Sequence, residues 1–294
     1  MTFSIQSVPS IELPAHLREK EERLRTLMRE AGSWLIAYSG GVDSSYLAHI
    51  ATEELGEKAL SVLGISPSVA SAQRDAAESL AKKFGFNFQT LETKEFADPN
   101  YIANPSNRCY FCKSELFNKL TSLAKQRGIA EVVDGTNADD IGGHRPGRLA
   151  ADERSVRSPL VEVGMAKKDI RELSRAHGLP TWDQPSSPCL SSRVAYGVPV
   201  TIERLGKVEK GEMVLREHGF REFRLRVHGE IARIEISPDE FDFMFDREKI
   251  REISDAIRNL GFKYVTLDLE GYRSGALNEA LTQATKSNIF LETN

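Results

Sequence analysis

The chain of 294 residues has only three cysteines, Cys109, Cys112 and Cys189. So small and odd a set in a chain of this length cannot make a disulfide framework, which leaves reduced thiols, metal ligands or catalysts. Long apolar runs are also missing, and no stretch approaches the length of a membrane span. The first residues, MTFSIQSVPSIELPAHLREK, lack the basic region, apolar core and cleavage site of a secretory leader. A cytoplasmic protein with no membrane partner is the expectation. Positive charge is not in excess either. A formal net charge of -4 supplies no general field for nucleic acid, so a small-molecule substrate is expected and a stable nucleic-acid partner is not. Two phosphate-binding signatures are absent: Gly-x-x-x-x-Gly-Lys-Ser/Thr and the dinucleotide fingerprint Gly-x-Gly-x-x-Gly.

What is present is a folded-protein composition with an alternating pattern. HLREKEERLRTLMREAG has helical leucine and charge spacing, and SWLIAYSGGVDSSYLAHIATEELG reads as strand, glycine turn and helix. KALSVLGIS, VASAQRDAAESLAKKFG and NFQTLET continue as strand, helix and strand, followed by the helix YFCKSELFNKLTSLAKQRG and the strand AEVVDGT. This order predicts an α/β fold with a parallel, helix-covered sheet. Residues 141–163, rich in Gly, Arg and Pro, suit a long active-site loop with a short helix, and AKKDIRELSRAHG is a further helix. LPTWDQPSSPCLSSRVAYGVP reads as a second functional loop at a domain boundary. Beyond residue 200 the rhythm changes to a smaller α+β unit. Two helix-Gly-Phe-strand junctions, at Gly219-Phe220 and Gly261-Phe262, hint at a weak internal repeat there. The expected domains are residues 18–193 and 194–294.

The turn AYSGGVDSS lies where an apolar strand becomes a helix, a position at which α/β proteins bind phosphate. Gly40 and Gly41 let backbone approach an anion, Ser39 and Ser44 add hydroxyl donors, and the helix N-terminus adds partial positive charge. A tight turn with a serine cap is the plain alternative. Ser-Gly-Gly-x-Asp-Ser resembles the signature of the PP-loop ATP pyrophosphatases, of adenine nucleotide alpha hydrolase-like fold, which split ATP into AMP and pyrophosphate. The resemblance implies that Ser39, Gly40, Gly41, Asp43 and Ser44 bind the phosphates, that Asp43 helps to place magnesium, and that adenine lies near Gly64 to Ser66. DGTNADD, Asp134 to Asp140, follows another apolar strand, so Gly135 and its neighbours are expected at the same carboxyl edge. There carboxylates can hold magnesium, or simply cap a surface turn.

Pro105 sets the next helix to begin near Asn107 or Arg108, with Cys109 and Cys112 on one face in or near its first turn. Such a position favours thiolates, and Cys-x-x-Cys can clamp one metal centre. Cys189 is the available third ligand. A closed four-cysteine site is excluded, His144 and His177 have no finger-like spacing to the thiols, and buried idle cysteines stay open as the plain reading.

AYSGGVDSSYL, DGTNADD, HRPGRLAADERSVRSPL, CLSSRVAYG, RLRVHGEIARIEI and GFKYVTLDLEGYRSG together resemble the LarE family, over about residues 20 to 280. That family thiolates a pyridinium biscarboxylic acid mononucleotide in synthesis of the nickel-pincer nucleotide, the cofactor of lactate racemase. The resemblance implies ATP-dependent adenylation of a carboxylate, loss of pyrophosphate, and displacement of AMP by sulfur. Members with one cysteine sacrifice its sulfur, and the matching position is Cys189. With Cys109 and Cys112 added, this chain is similar to the three-cysteine branch, in which a 4Fe-4S cluster carries the extra sulfide. Ser192, Arg193, Arg224, Arg226, Glu235 and Arg273 match the family's substrate-pocket positions, and a homo-oligomer, a hexamer among the candidates, is implied. Guanidinium groups suit phosphate and carboxylates, although a solvated face laced with ion pairs explains the same residues. A tRNA thiolase of the PP-loop superfamily, an ammonia-using synthetase and a non-enzymatic ATP-binding module are the competing readings.

Overall fold

The computed structural model describes residues 13–142, 145–186 and 188–273. The leader, His144, Ser187 and the end of the GYRSG motif lie outside the described residues.

Four strands, β1 (Trp34–Tyr38), β2 (Ala59–Ile65), β3 (Asn87–Glu92) and β4 (Glu131–Val133), form a parallel sheet in the order β3-β2-β1-β4. Every residue of β1 is buried, as its near-continuous apolar sequence requires of a strand covered on both faces. The helices of this part are α1 (Ala15–Ala31), α2 (Val42–Leu55), α3 (Ser71–Lys83), a short α4 (Pro99–Ile102), α5 (Arg108–Arg127), α6 (Pro146–Asp152), α7 (Pro159–Glu162) and α8 (Lys167–Ala176); α4 packs its Tyr101 into the core of the later part rather than onto the sheet. Leu17, Leu24 and Met28 of α1 pack with Trp34, Tyr46, Ile50, Ile170 and Leu173 in one core. The chain leaves β1 toward β2 and β3, then returns to place β4 on the other side of β1. That reversal opens a crevice at the carboxyl ends of β1 and β4, where ligands bind in open α/β sheets.

The later part holds α9 (Ile202–Glu217), β5 (Phe223–His228), β6 (Ile231–Ile236), α10 (Arg247–Arg258) and β7 (Tyr264–Leu267). Strands β5 and β6 are antiparallel, while β6 and β7 are parallel. The two matching junctions are used alike: Gly219 and Gly261 take φ of 92° and 94°, and Phe220 and Phe262 are buried behind them. The alternative of a solvated basic face does not hold for β5. The basic side of β5, Arg224 and Arg226, is as buried as its apolar side, because it lies against the loop that carries Cys189 rather than against water. Among the described residues, no helix is long and apolar enough to cross a membrane.

Candidate active site

The crevice at the sheet's switch point contains a cavity of about 370 Å³. Its wall includes Ser39, Gly41, Asp43 and Ser44 after β1, Asp134, Gly135, Thr136 and Asp140 after β4, and Cys109 and Lys113 of α5. Arg145, Pro146, Gly147 and Arg148 close another side. Loop 141–163 thus reaches the site, as its composition suggested.

The glycine turn is shaped for an anion. Ser39 Oγ and Ser44 Oγ lie 3.0 Å apart, and the Ser39 N–H donates to Ser44 Oγ at 3.2 Å. No side chain caps the N-terminus of α2, so its first amides remain available to a phosphate. Gly135 lets the β4 turn press against this terminus, since a Cβ there would meet Ser44 N at 3.0 Å. Gly40 does a different job. It has φ of 76°, and a Cβ would come within 2.7 Å of Ala77 Cβ, so its lack of a side chain serves the contact with α3. Gly64 and Ser66, expected beside adenine, stand at and just beyond the end of β2 and do not line the cavity.

Asp43 Oδ2 accepts a 2.6 Å hydrogen bond from Lys167 Nζ, while Asp43 Oδ1 is buried without a partner. Burial pushes this carboxyl up from its ordinary range; Lys167 pulls it back and Asp140 adds to the rise. An orphaned carboxylate oxygen beside a second acid fits a hard divalent cation such as magnesium. Lys167 was not foreseen, because nothing in AKKDIRE marks it until the fold carries the start of α8 to the turn.

Helix α5 starts at Arg108, as Pro105 indicated. Cys109 is an exposed residue of the cavity wall, with its thiol set close to Arg108, Lys113 and Cys189. Burial pushes its thiol up, which Arg108 counters and the charge of Cys189 reinforces. Burial also pushes the Cys112 thiol up, with Cys189 adding to the rise, so the three thiols share one locality. Cys189 precedes a 3-10 turn, Leu190–Arg193, that is stitched down by buried hydrogen bonds. Arg108 donates to Asn104 Oδ1 at 2.6 Å and to the Ser191 carbonyl at 2.8 Å. Asn104 Nδ2 reaches the carbonyls of Ala195 and Val198, both at 2.8 Å, from a left-handed backbone with φ of 55°. Tyr101, Ser68 and Ser191 join their hydroxyls behind the turn. Asn104 and Arg108 were also missed, since single polar residues in a loop and a first helical turn carry no pattern.

The matched basic residues divide into two kinds. Arg193 spans Glu212, at 2.8 and 3.2 Å, and the carbonyls of Pro188 and Cys189, so its donors are committed to holding the thiol loop. Arg226 pairs with the fully buried Glu235 and donates to the Ser192 carbonyl at 2.7 Å. Ser192 Oγ itself donates to the Cys189 carbonyl. Arg224 differs. It is buried, lies 4.6 Å from the Tyr272 ring centroid, donates to backbone carbonyls, and has no carboxylate partner among the described residues. Glu212 lies near enough to act on it but is bonded to Arg193, and a buried guanidinium with no carboxylate bonded to it is a natural seat for an anion. Arg273 pairs with Glu270 at 2.7 Å.

No protein-family model matches the chain. Curated relatives do. An uncharacterized protein of Synechocystis is 45% identical over 267 residues, covering 91% of this chain and 100% of that one. The pyridinium-3,5-bisthiocarboxylic acid mononucleotide synthase of Lactiplantibacillus plantarum is 34% identical over 272 residues, covering 92% of this chain and 98% of that enzyme. A glutamine-hydrolyzing GMP synthase of Latilactobacillus sakei matches at 27% over 204 residues, 62% of this chain and 39% of its own length. With a relative this similar over nearly the whole of both chains, and with the glycine turn at the sheet's switch point, this chain belongs to the LarE family of ATP-dependent sulfur transferases in the PP-loop superfamily.

Proposed function

We propose that this chain inserts sulfur into pyridinium biscarboxylic acid mononucleotide, in synthesis of the nickel-pincer nucleotide. The observation that carries the reading is that one cavity wall holds both the nucleotide turn and Cys109. Activation and sulfur delivery can therefore act on one bound carboxylate. A substrate carboxylate oxygen attacks the α-phosphorus of ATP, the bond to the bridging oxygen breaks, and pyrophosphate leaves with the electron pair. A sulfur nucleophile then adds to the acyl carbon and the C–O bond to AMP breaks, giving a thiocarboxylate.

The residues have distinct parts in this scheme. The open amides of α2, with Ser39 and Ser44, hold the departing pyrophosphate, and Lys113, Arg145 and Arg148 add positive charge along the wall. Asp43 and Asp140 hold magnesium. Arg224 receives an anionic group of the substrate, while Arg193, Arg226, Glu235 and Ser192 keep the thiol loop in register with it. Cys109, Cys112 and Cys189 would hold a 4Fe-4S cluster, which supplies sulfide when bound. Three thiols in one locality, with no fourth cysteine in the chain, suit a cluster with one open iron. Residues 18–193 form the ATP domain, and 194–294 contribute to substrate binding and to a homo-oligomer, for which a hexamer is the candidate. The protein acts in the cytoplasm.

The test measures pyrophosphate release and thiocarboxylate formation with this mononucleotide after anaerobic reconstitution, beside iron and acid-labile sulfide per chain. A four-iron centre lost in Cys109→Ala, Cys112→Ala and Cys189→Ala, with repeated turnover in the parent, supports the scheme. Product without iron and limited to one turnover would assign Cys189 as a sacrificial donor. Product formed only on bulk tRNA would replace the substrate.

A further inference from the structure

Outside the cavity, α2 and the end of α8 bring two histidines and an acid together. His49 and Glu53 stand one helical turn apart on α2, with His49 Nε2 3.3 Å from Glu53 Oε1. His177, at the C-terminus of α8, puts its ring centroid 5.1 Å from that of His49. One ligand atom from each of His49, Glu53 and His177 can be chosen so that all lie within 4.8 Å of one another. None of the three lines the nucleotide cavity.

The surroundings orient these atoms. Arg25 donates to Glu53 Oε2 at 2.6 Å and to Glu21 Oε1 at 3.0 Å, which leaves the other oxygen of each acid toward an imidazole. Glu21 Oε2 accepts from Tyr46 at 3.0 Å and lies 2.9 Å from His177 Nε2. Carboxylates fixed from behind by a cation and a phenol are how outer partners aim metal ligands. Both histidine side chains are mostly buried, at 12% and 19% exposure, whereas Glu53 is 41% exposed and gives solvent a way in.

We propose that His49, Glu53 and His177 form a binding site for a borderline divalent transition ion of the Zn²⁺ class. Two imidazoles and one carboxylate favour such an ion over magnesium, which prefers oxygen ligands throughout. Water takes the open position on the side of Glu53. His177 ligates through Nδ1 as the neutral imidazole, and its Nε2–H donates to Glu21, which serves as the outer partner. The site is structural. Helix α2 begins at the nucleotide turn and α8 begins at Lys167, which holds Asp43, so an ion here fastens the same two helices at a second point.

Cobalt(II) is the probe. The full chain, as wild type and with Cys109, Cys112 and Cys189 changed to Ser, is titrated with Co²⁺ in excess Mg²⁺, which occupies the nucleotide carboxylates. The expected result is one equivalent of visible d–d absorption without thiolate charge-transfer bands in the Cys-to-Ser protein, and a rise in Tm. His49→Gln and His177→Gln should abolish it. Glu53→Gln, at an exposed side chain that leaves folding intact, should weaken Co²⁺ binding roughly tenfold or more. No d–d absorption in the Cys-to-Ser protein, or absorption unchanged in folded His49→Gln, His177→Gln and Glu53→Gln variants, would overturn the proposal and leave a salt-bridge cluster. Neither outcome depends on sulfur-transfer activity.

Discussion

Lys167 and Asp43 meet at 2.6 Å although 124 positions separate them, and the contact joins the start of α8 to the nucleotide turn. If Asp43 holds magnesium, as proposed, a proton competes with the ion for a carboxyl that burial raises, so MgATP affinity should increase as pH rises through that raised range. Lys167→Met removes the group that pulls the carboxyl back down. Its affinity midpoint should shift to higher pH, with binding weakened roughly tenfold near the midpoint, about 1.4 kcal/mol. Calorimetric titration of MgATP across pH reads both effects, and an unshifted midpoint would count against Asp43 as a magnesium ligand.

Gly135→Ala should weaken nucleotide binding with little loss of secondary structure. The added Cβ would lie 3.0 Å from Ser44 N and 3.1 Å from Ser44 Cα, and backbone cannot swing aside as a long side chain can. The turn must shift, so a drop in ATP affinity of roughly tenfold or more is expected. Equilibrium binding of a non-hydrolysable ATP analogue checks it.

Removing Glu212 should cost stability as well as sulfur chemistry. Arg193 and Glu212 are both buried, and Glu212→Ala strands a guanidinium, at about 3–5 kcal/mol. Urea denaturation should show the loss, and iron retained after anaerobic reconstitution should fall with it, because Arg193 also holds the Cys189 carbonyl. A Glu212→Ala protein of parental stability would mean that water replaces the carboxylate at no cost.

The cluster of Glu21, Arg25, His49, Glu53 and His177 should make metal-free protein sensitive to acid. Burial tends to raise the Glu21 carboxyl, but His177 and Arg25 outweigh it and hold it down at about 2. A depressed carboxyl contributes stability above the unfolded carboxylate range, and that stability is lost as pH falls toward about 2. The His49 imidazole is lowered, chiefly by burial, so protonation favours the unfolded chain once pH falls below the ordinary histidine range of about 6.5. Both effects share a sign. Urea midpoints in chelator should fall between pH 7 and pH 4, and Glu21→Gln should flatten the lower part of that profile.

The α/β order, the nucleotide turn and the start of α5 were legible because each rests on local rules. Periodicity sets the elements, Gly-Gly marks a turn where side chains would obstruct, and Pro105 cannot continue a helix. The roles of the basic residues were harder to read. Arg224 and Arg226, two positions apart in a strand, must share a face, but nothing in the sequence shows that a loop from earlier in the chain covers that face. Only the packed structure separates Arg193 and Arg226, already paired to Glu212 and Glu235, from Arg224, which has no carboxylate bonded to it among the described residues. Lys167, Asn104 and Arg108 act through contacts distant in sequence, or through one left-handed residue, and leave no local pattern.

Asn104 and Arg193 together have a consequence for biosynthesis. The loop that carries Cys189 is held from one side by residues of the α4–α5 corner and from the other by Arg193, itself paired to Glu212 on α9, whereas the strands of the parallel sheet all precede residue 134. In chain order the cavity residues, from Ser39 to Arg148, come before Cys189, whereas Glu212 and Arg226, which fix its loop, come after it. A metal centre on these three cysteines, as proposed, would be completed only once the C-terminal portion has docked, after every residue of the nucleotide cavity has been synthesised.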